Sequence, residues 1–516
     1  MFATIQKYLL INYPLLWNTK IVPLVFYSLL FHIVFFILGY YNGTIDFTET
    51  ENNYRYNTND GTIGFLCVLV SILSLIVWAV YYFKNNALKS FYPKGNLSLF
   101  KEWIIILVGC FFLVTYMTTF FYGKDVRMRS YYSESEAKKR CKTLSLGSYF
   151  IDGSYENYYN EYDNDNYDTT ETVVDSAMAL PNVNGKYDSS NKINYFAYKG
   201  KKYTYNSLLN KNLNSYVFFS REIDSASKDR IRNWLVNNQK DSVKTLFKNY
   251  LAIAKEHKLD ASIDQNKWVN LIYDYPTFEK YKLIGGEAME VYYPNNNPGE
   301  PNYDIDDQFI TSIKGTDYKV NKYYVPEKAM SYAYQKIADS YVKPIIGWET
   351  YLVSLYVALG ISLLLFSFRI TSGKSWLIAV VSLGVLNIII GIFAAISSSE
   401  YVYLISVLVV FLILVIYFFI VVYSNKGKKI SAITINAMLW MLPAFAPIVY
   451  YLALQTAKEV SGYNNYYGLR NSENYPKINF LQDNGLLLMY LNYVLIILVM
   501  LLLSKKFKQW RGVAES

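Results

Sequence analysis

Two histidines, His32 and His257, and three cysteines, Cys67, Cys110 and Cys141, are all the imidazole and thiol chemistry that 516 residues offer. A histidine- or cysteine-rich metal centre and a disulfide framework are therefore excluded, because each needs several such groups. The acidic pair Asp306 and Asp307 and the cluster 163–168 lack the ordered alternation and closing glutamate of a calcium loop, and read as solvated loops. Thr371-Ser372-Gly373-Lys374-Ser375 imitates the end of a phosphate-binding loop. The glycine required five positions before Gly373 is Phe368, however, and the segment joins two apolar runs, so it reads as a turn with basic anchors. There is no serine-centred nucleophile elbow and no pair of histidines with a glutamate. No catalytic residue, resident cofactor or metal is expected, and the chain does not read as an enzyme.

The remaining chemistry is that of polar groups inside long apolar runs. His32 lies deep in the first run, where it could relay a proton, contact a substrate or simply bond a neighbouring helix; the last is favoured because no acid accompanies it in any span. Asn387 recurs with Gly384, Gly391 and Ala395 at helical spacing, a face of little bulk that suits close helix packing. Asn436 is followed by Pro443 and Pro447, each removing one ladder hydrogen bond, so a kinked helix usable as a gate hinge or as fixed shaping is expected. Asn492, Thr115, Thr118 and Thr119 add hydrogen-bonding capacity.

Those residues need a bilayer. Hydrophobic residues make up 53% of the chain and charged residues 18%, and the apolar ones are bunched into runs. A hydrocarbon core of about 30 Å takes roughly 20 helical residues. Eight runs meet or approach that length, at 21–41, 61–83, 103–122, 348–368, 376–396, 401–423, 430–454 and 486–503, several of them bounded by Trp or Tyr. The first run is too long, and lacks the cleavage site, to be a signal peptide. With the N-terminus inside, the inner segments hold 15 cations against only Glu102 and Glu515, whereas the short outer segments are net acidic. The positive-inside rule then places both termini in the cytoplasm. Abundant Tyr, Asn, Lys and Ile suit an AT-rich prokaryotic gene, so a bacterial cytoplasmic (inner) membrane is expected.

Between spans three and four, residues 123–347 contain no spanning run and are numerous enough to bury a core of their own. The fold class expected is thus mainly α: an eight-helix polytopic bundle with an inserted α+β extracytoplasmic domain. The organisation is 1–20 interfacial helix, 21–122 spans one to three, 123–347 outer domain, 348–503 spans four to eight and 504–516 basic tail. Within the outer domain, 133–143 reads as helix, 195–205 and 215–220 as strands, and 225–257 as helix with a break near Asn237 or Asp241. Pro326 opens a last helix. Cys141 reads as a buried inert thiol, and His257 as a histidine complementing a helix end. The net charge of +9 is an orientation signal that also holds the inner leaflet; with the outer domain nearly neutral, no nucleic-acid partner is expected.

Spans this poor in ionisable groups leave little means of coupling to protons or sodium, so a transporter of this kind would be driven from outside itself. Two cytoplasmic elements could receive the drive. One is residues 2–13, an amphipathic helix with Lys7 on its polar side; the other is the loop 84–102, whose Phe91, Leu97 and Phe100 could dock on a protein or on lipid. The interfacial helix with the segment YLLINYPLLWN at 8–18, charge-poor spans, short basic inner loops and a large outer domain resemble, in layout, the membrane subunits of ATP-binding-cassette exporters. The three-plus-five arrangement of spans departs from the commoner patterns there. The resemblance implies a separate cytoplasmic ATPase and a homodimer. The function expected is a permease-like subunit of an ATP-driven transport or export complex. The alternative is a non-transporting receptor or envelope assembly protein whose outer domain binds a ligand or an envelope partner.

Overall fold

A computed structural model describes residues 2–49, 59–86, 95, 97–151, 195–198, 201–204, 218–219, 227, 230–231, 233–234, 237, 239–273, 284–291, 308–342, 347–397, 400–424, 428–461 and 476–510. The chain is mostly helical and is a membrane protein: among the described residues seven helices are long and apolar enough to cross a bilayer. It divides into two compact units, one comprising Met1–Asn42, Asn59–Lys124 and Ile345–Ser516, the other Gly43–Thr58 and Asp125–Pro344.

The first unit opens with α1 (Phe2–Asn12) and α2 (Pro14–Thr19), where Pro14 takes the first-turn position its missing N–H suits. Lys20 turns the chain through a left-handed conformation (φ 54°) into α3 (Ile21–Asn42). Then come α4 (Asn59–Asn86), α5 (Ser98–Val114) and α6 (Tyr116–Arg129). After the second unit follow α11 (Trp348–Ile370), α12 (Gly373–Ser397), α13 (Glu400–Ser424), α14 (Lys428–Ser461) and α15 (Pro476–Trp510). The seven apolar helices are α3, α4 and α11–α15; α5 and α6, bent by 49° at Thr115, make an eighth span if they cross together. In α11, 44% of the most apolar window is buried, against 11–22% in the other six, which makes it the inner helix. Its Leu359, Leu363 and Phe366 meet Trp103 and Ile106 of α5, Ile435 and Leu439 of α14, and Ile496 and Met500 of α15 in one core.

Lipid tails are as apolar as these side chains, so the helices gain from close approach more than from leaving water. At Gly39 a Cβ would strike the Phe120 carbonyl and at Gly123 the Phe36 carbonyl, so both must be glycine for α3 and α6 to cross backbone to backbone. Gly384 and Gly391 have open space where a Cβ would stand, and Asn387 between them is exposed. Among the described residues, the two glycines of the expected packing face on α12 are therefore not filled by a neighbour.

The second unit contains α7 (Glu134–Ser148), α8 (Lys240–Glu256), α9 (Gln265–Tyr273) and α10 (Glu327–Val342). It also has the hairpin β1 (Tyr195–Tyr198) with β2 (Lys201–Thr204) and an antiparallel sheet of β3 (Met289–Val291), β4 (Gln308–Ile313) and β5 (Thr316–Asn321), in the order β3-β5-β4. Lys314 and Gly315, both at positive φ, form the two-residue turn between β4 and β5 that matches strand twist. The Ser133 hydroxyl accepts the Glu136 N–H and starts α7, a serine and glutamate at capping-box spacing. In α8 the stripe Val243, Leu246, Phe247, Tyr250 and Ile253 is buried, and Phe247 stacks on Trp268 of α9 with centroids 4.0 Å apart. The helical residues before it give way to a turn at Asn237, where the sequence placed the break. Phe218 and Phe219 lie in a bend rather than the expected strand, and the rest of 215–220 falls outside the described residues, as do both acidic clusters.

Candidate functional site: a buried polar cluster around Glu102

The buried charges of the first unit converge at one end of α5. Glu102, in the second turn of α5, is fully buried, and its Oε1 lies 3.3 Å from Nε of Arg369, which is 1% exposed. The same oxygen accepts the Tyr82 hydroxyl at 3.2 Å and an Asn18 Nδ2 hydrogen at 3.4 Å. Asn18 also donates to Asn86 Oδ1 at 2.9 Å, and Asn86 donates to the Tyr82 carbonyl at 2.9 Å. Next to Asn18, the Thr19 carbonyl accepts the Trp78 N–H at 2.7 Å, which fixes the end of α2. Desolvating an ion pair is costly, and the three neutral donors and acceptors around this one offset part of that cost. Glu102 Oε2 remains buried without a partner among the described residues.

The cluster continues along α11. Ser362 accepts the Trp103 N–H at 3.2 Å, Ser367 accepts that of Trp440 at 2.8 Å, and Thr371 donates to Asn436 Oδ1 at 3.1 Å. Ser372 receives the Ser375 N–H at 3.1 Å and caps α12, so the segment that imitates a phosphate-binding loop is a helix start. Between α2 and the start of α5, Leu15, Gly95, Leu97, Ser98 and Lys101 line an open cleft of about 410 Å³.

A second polar locus sits at the bend of α5 and α6. Thr115 holds the break in the helix and donates back to the Phe111 carbonyl at 2.9 Å, a bond that bends helices. His32 of α3 reaches the same hydroxyl with Nε2 at 3.0 Å and anchors its Nδ1 on the Ser28 carbonyl at 2.7 Å. The hydroxyls of Ser28 and Ser71 donate to the Phe112 and Leu113 carbonyls at 3.3 and 2.8 Å. The bend is thus held by side chains of α3 and α4.

Of the residues singled out by sequence, Asn436 is fully buried in the cluster and His32 sits at the bend. Leu97 lines the cleft, 39% exposed, whereas Phe100 packs inward with its ring 5.7 Å from Trp103; Phe91 lies outside the described residues. Asn492 donates to the Tyr356 hydroxyl at 2.7 Å, which donates on to the Met489 carbonyl at 2.9 Å, and Asn387 accepts the Tyr403 hydroxyl at 3.2 Å; both are interhelical bonds. α14 is one continuous helix through Pro443 and Pro447, and the 49° bend at Thr115 lies between α5 and α6. Glu102 and Arg369, which the sequence places in inner segments at the edges of the expected spans three and four, are buried and paired. The signal was available, since Glu102 is one of only two acids among 15 cations on the expected inner side.

No protein-family model matches the chain, and no curated protein sequence or solved structure matches it.

Proposed function

We propose that this chain is the permease-like membrane subunit of an ATP-driven transport or export complex in a bacterial cytoplasmic membrane, energised by a separate ATPase. In this reading α5 and α6 form one bent third span of eight, both termini are cytoplasmic, and the second unit is an extracytoplasmic α+β domain. The observation that carries it is the position of the buried cluster. Asn86 and Glu102 flank residues 87–97 of the expected loop in the chain, both bond to Asn18 of α2, and Glu102 pairs with Arg369 of the inner helix. A displacement of that loop would reach α2 and α11 through desolvated polar contacts, which hold geometry more strictly than apolar ones. Leu97 and the adjoining cleft supply a docking place for the ATPase.

The charge inventory supports an external energy source. Among the described residues of α3–α6 and α11–α15 the buried carboxylates are Glu102 and Asp125, and Glu102 is bound to an arginine rather than set in a chain of exchangeable acids. Purification of the tagged chain in mild detergent tests the reading. An ATP-hydrolysing protein in stoichiometric amount is the expected companion. Its consistent absence, with the chain folded, would leave the receptor or assembly reading in its place.

A further inference from the structure

The chain passes between the two units at four places, and three of the stretches that carry it into the second unit meet at one spot there. They are residues 43–49 after α3, the end of α6 with the residues up to Tyr132, and the end of α10. α6 and α10 meet by their C-terminal ends, where the last backbone carbonyls lack helical partners and both helix dipoles are negative. Each helix supplies a cap for the other. Arg129, the last residue of α6, donates from Nε to the Ser340 carbonyl at 2.9 Å and from Nη2 to the same oxygen. Tyr341 of α10 donates in return to the Tyr132 carbonyl at 2.6 Å and to that of Arg129 at 3.3 Å, and its ring lies 5.4 Å from the guanidinium carbon.

Residues 43–49 close on the same place. The Ile45 N–H donates to the Tyr131 hydroxyl at 2.9 Å, and the Phe47 ring meets Tyr131 and Tyr334 edge-on with centroids 5.7 and 5.9 Å away. Phe47 also lies flat on His257, centroids 3.6 Å apart and planes at 10°, and Glu49 pairs with Lys336 of α10 at 3.5 Å. We propose that these three stretches form one cooperative joint, which holds or releases as a unit, so that a change at the end of α10 is felt at residues 43–49 and at the end of α6 together.

The contacts are shared in a way that three separate attachments would not be. Arg129, Tyr131 and Tyr132 are near neighbours in the chain, and between them they bind both of the other stretches. Tyr334, Lys336, Ser340 and Tyr341 all lie in the C-terminal part of α10. Lifting that part away would take Tyr334 from Phe47 and Lys336 from Glu49 while it uncovers the carbonyls and the guanidinium at the end of α6. A group of contacts that cannot be broken one at a time opens as one cooperative unit. The joint lies wholly within the second unit and does not depend on what the bundle transports.

Hydrogen exchange of the full chain in lipid nanodiscs, corrected for intrinsic rates, tests the proposal at amides remote from the substituted residue. Tyr341→Phe removes one hydroxyl from α10, at a residue with no hydrogen bond or ring contact to 43–49 among the described residues. It should nonetheless lower the protection of the Ile45 amide about five-fold, the effect of taking one hydrogen bond of ordinary net strength from a shared opening. Phe47→Leu, on the other side of the joint, should likewise lower the protection of the Tyr341 and Val342 amides. Amides of Leu246 to Tyr250 in α8 should keep theirs in both variants, and either variant decides the question if the other does not fold. Unchanged Ile45 protection in Tyr341→Phe, unchanged protection at the end of α10 in Phe47→Leu, or a loss shared equally by α8 would overturn the proposal.

Discussion

Glu102 of α5 and Arg369 of α11 form an ion pair with almost no solvent contact, N to O 3.3 Å, at the place where α2, α4, α5 and α11 meet. Removing one partner leaves the other charge buried, which costs about 3–5 kcal/mol, whereas replacing both with apolar groups of similar volume is nearly neutral or stabilising. We therefore expect Arg369→Met to lower the thermal unfolding temperature of the detergent-solubilised protein sharply. Glu102→Leu combined with Arg369→Met should recover most of the loss. Additive losses in the double variant would mean that the two charges do not interact.

The crossing of α3 and α6 makes a sharper steric prediction. Gly39→Ala and Gly123→Ala each push a methyl into a backbone carbonyl, which cannot rotate away, and should cost about 1–3 kcal/mol or more. Gly384→Ala and Gly391→Ala enter open space and should fall within about ±0.5 kcal/mol in the isolated chain. Unfolding temperatures of the four variants, measured side by side, check the contrast.

Cys141 is 2% exposed, and burial pushes its thiol up to about 12. The thiolate is the reactive form, so at pH 8 Cys141 should resist maleimide in the folded protein and label quickly once the protein is denatured. Mass spectrometry of the peptide containing Cys141 reads both states. Rapid labelling of the native protein would show that α7 opens locally.

Glu256 and His257 are neighbours whose acid responses should separate. Burial works to raise the Glu256 carboxyl, but hydrogen bonds from Arg140 and Tyr132 and the Arg140 charge outweigh it and hold the group below its ordinary 4.5. A depressed carboxylate stabilises the fold above 4.5, and that contribution is lost as pH falls below it, whereas the His257 contribution is lost from 6.5 downward. Tyrosine fluorescence of the second unit followed from pH 8 to pH 3 should show two transitions. Arg140→Gln should erase the lower one by removing the cation that holds Glu256 ionised.

The apolar spans were legible because a bilayer demands about 20 consecutive apolar residues, a signal no tertiary contact can hide. The bend between α5 and α6 was not. Proline directed attention to α14, but the bend is made by the Thr115 hydroxyl and held by Ser28, Ser71 and His32, whose meeting depends on how α3 and α4 pack. Arg369 was hidden by its own position: a cation near the inner end of a span satisfies the orientation rule whether or not it is solvated. His257 was legible as a helix end, with Lys258 turning left-handed after it (φ 58°), but nothing local announces that Phe47 from a distant segment covers its ring.

Coupling through the loop beside Glu102 is the claim on which the functional reading stands. The direct measurement is ATP hydrolysis by the chain reconstituted in nanodiscs with its co-purified ATPase, comparing wild type with Phe91→Ala/Leu97→Ala and with Asn18→Ala. Both variants are predicted to fold and bind lipid normally but to lose the stimulation of hydrolysis that the wild-type membrane subunit provides. Full stimulation in both variants would contradict coupling through this loop.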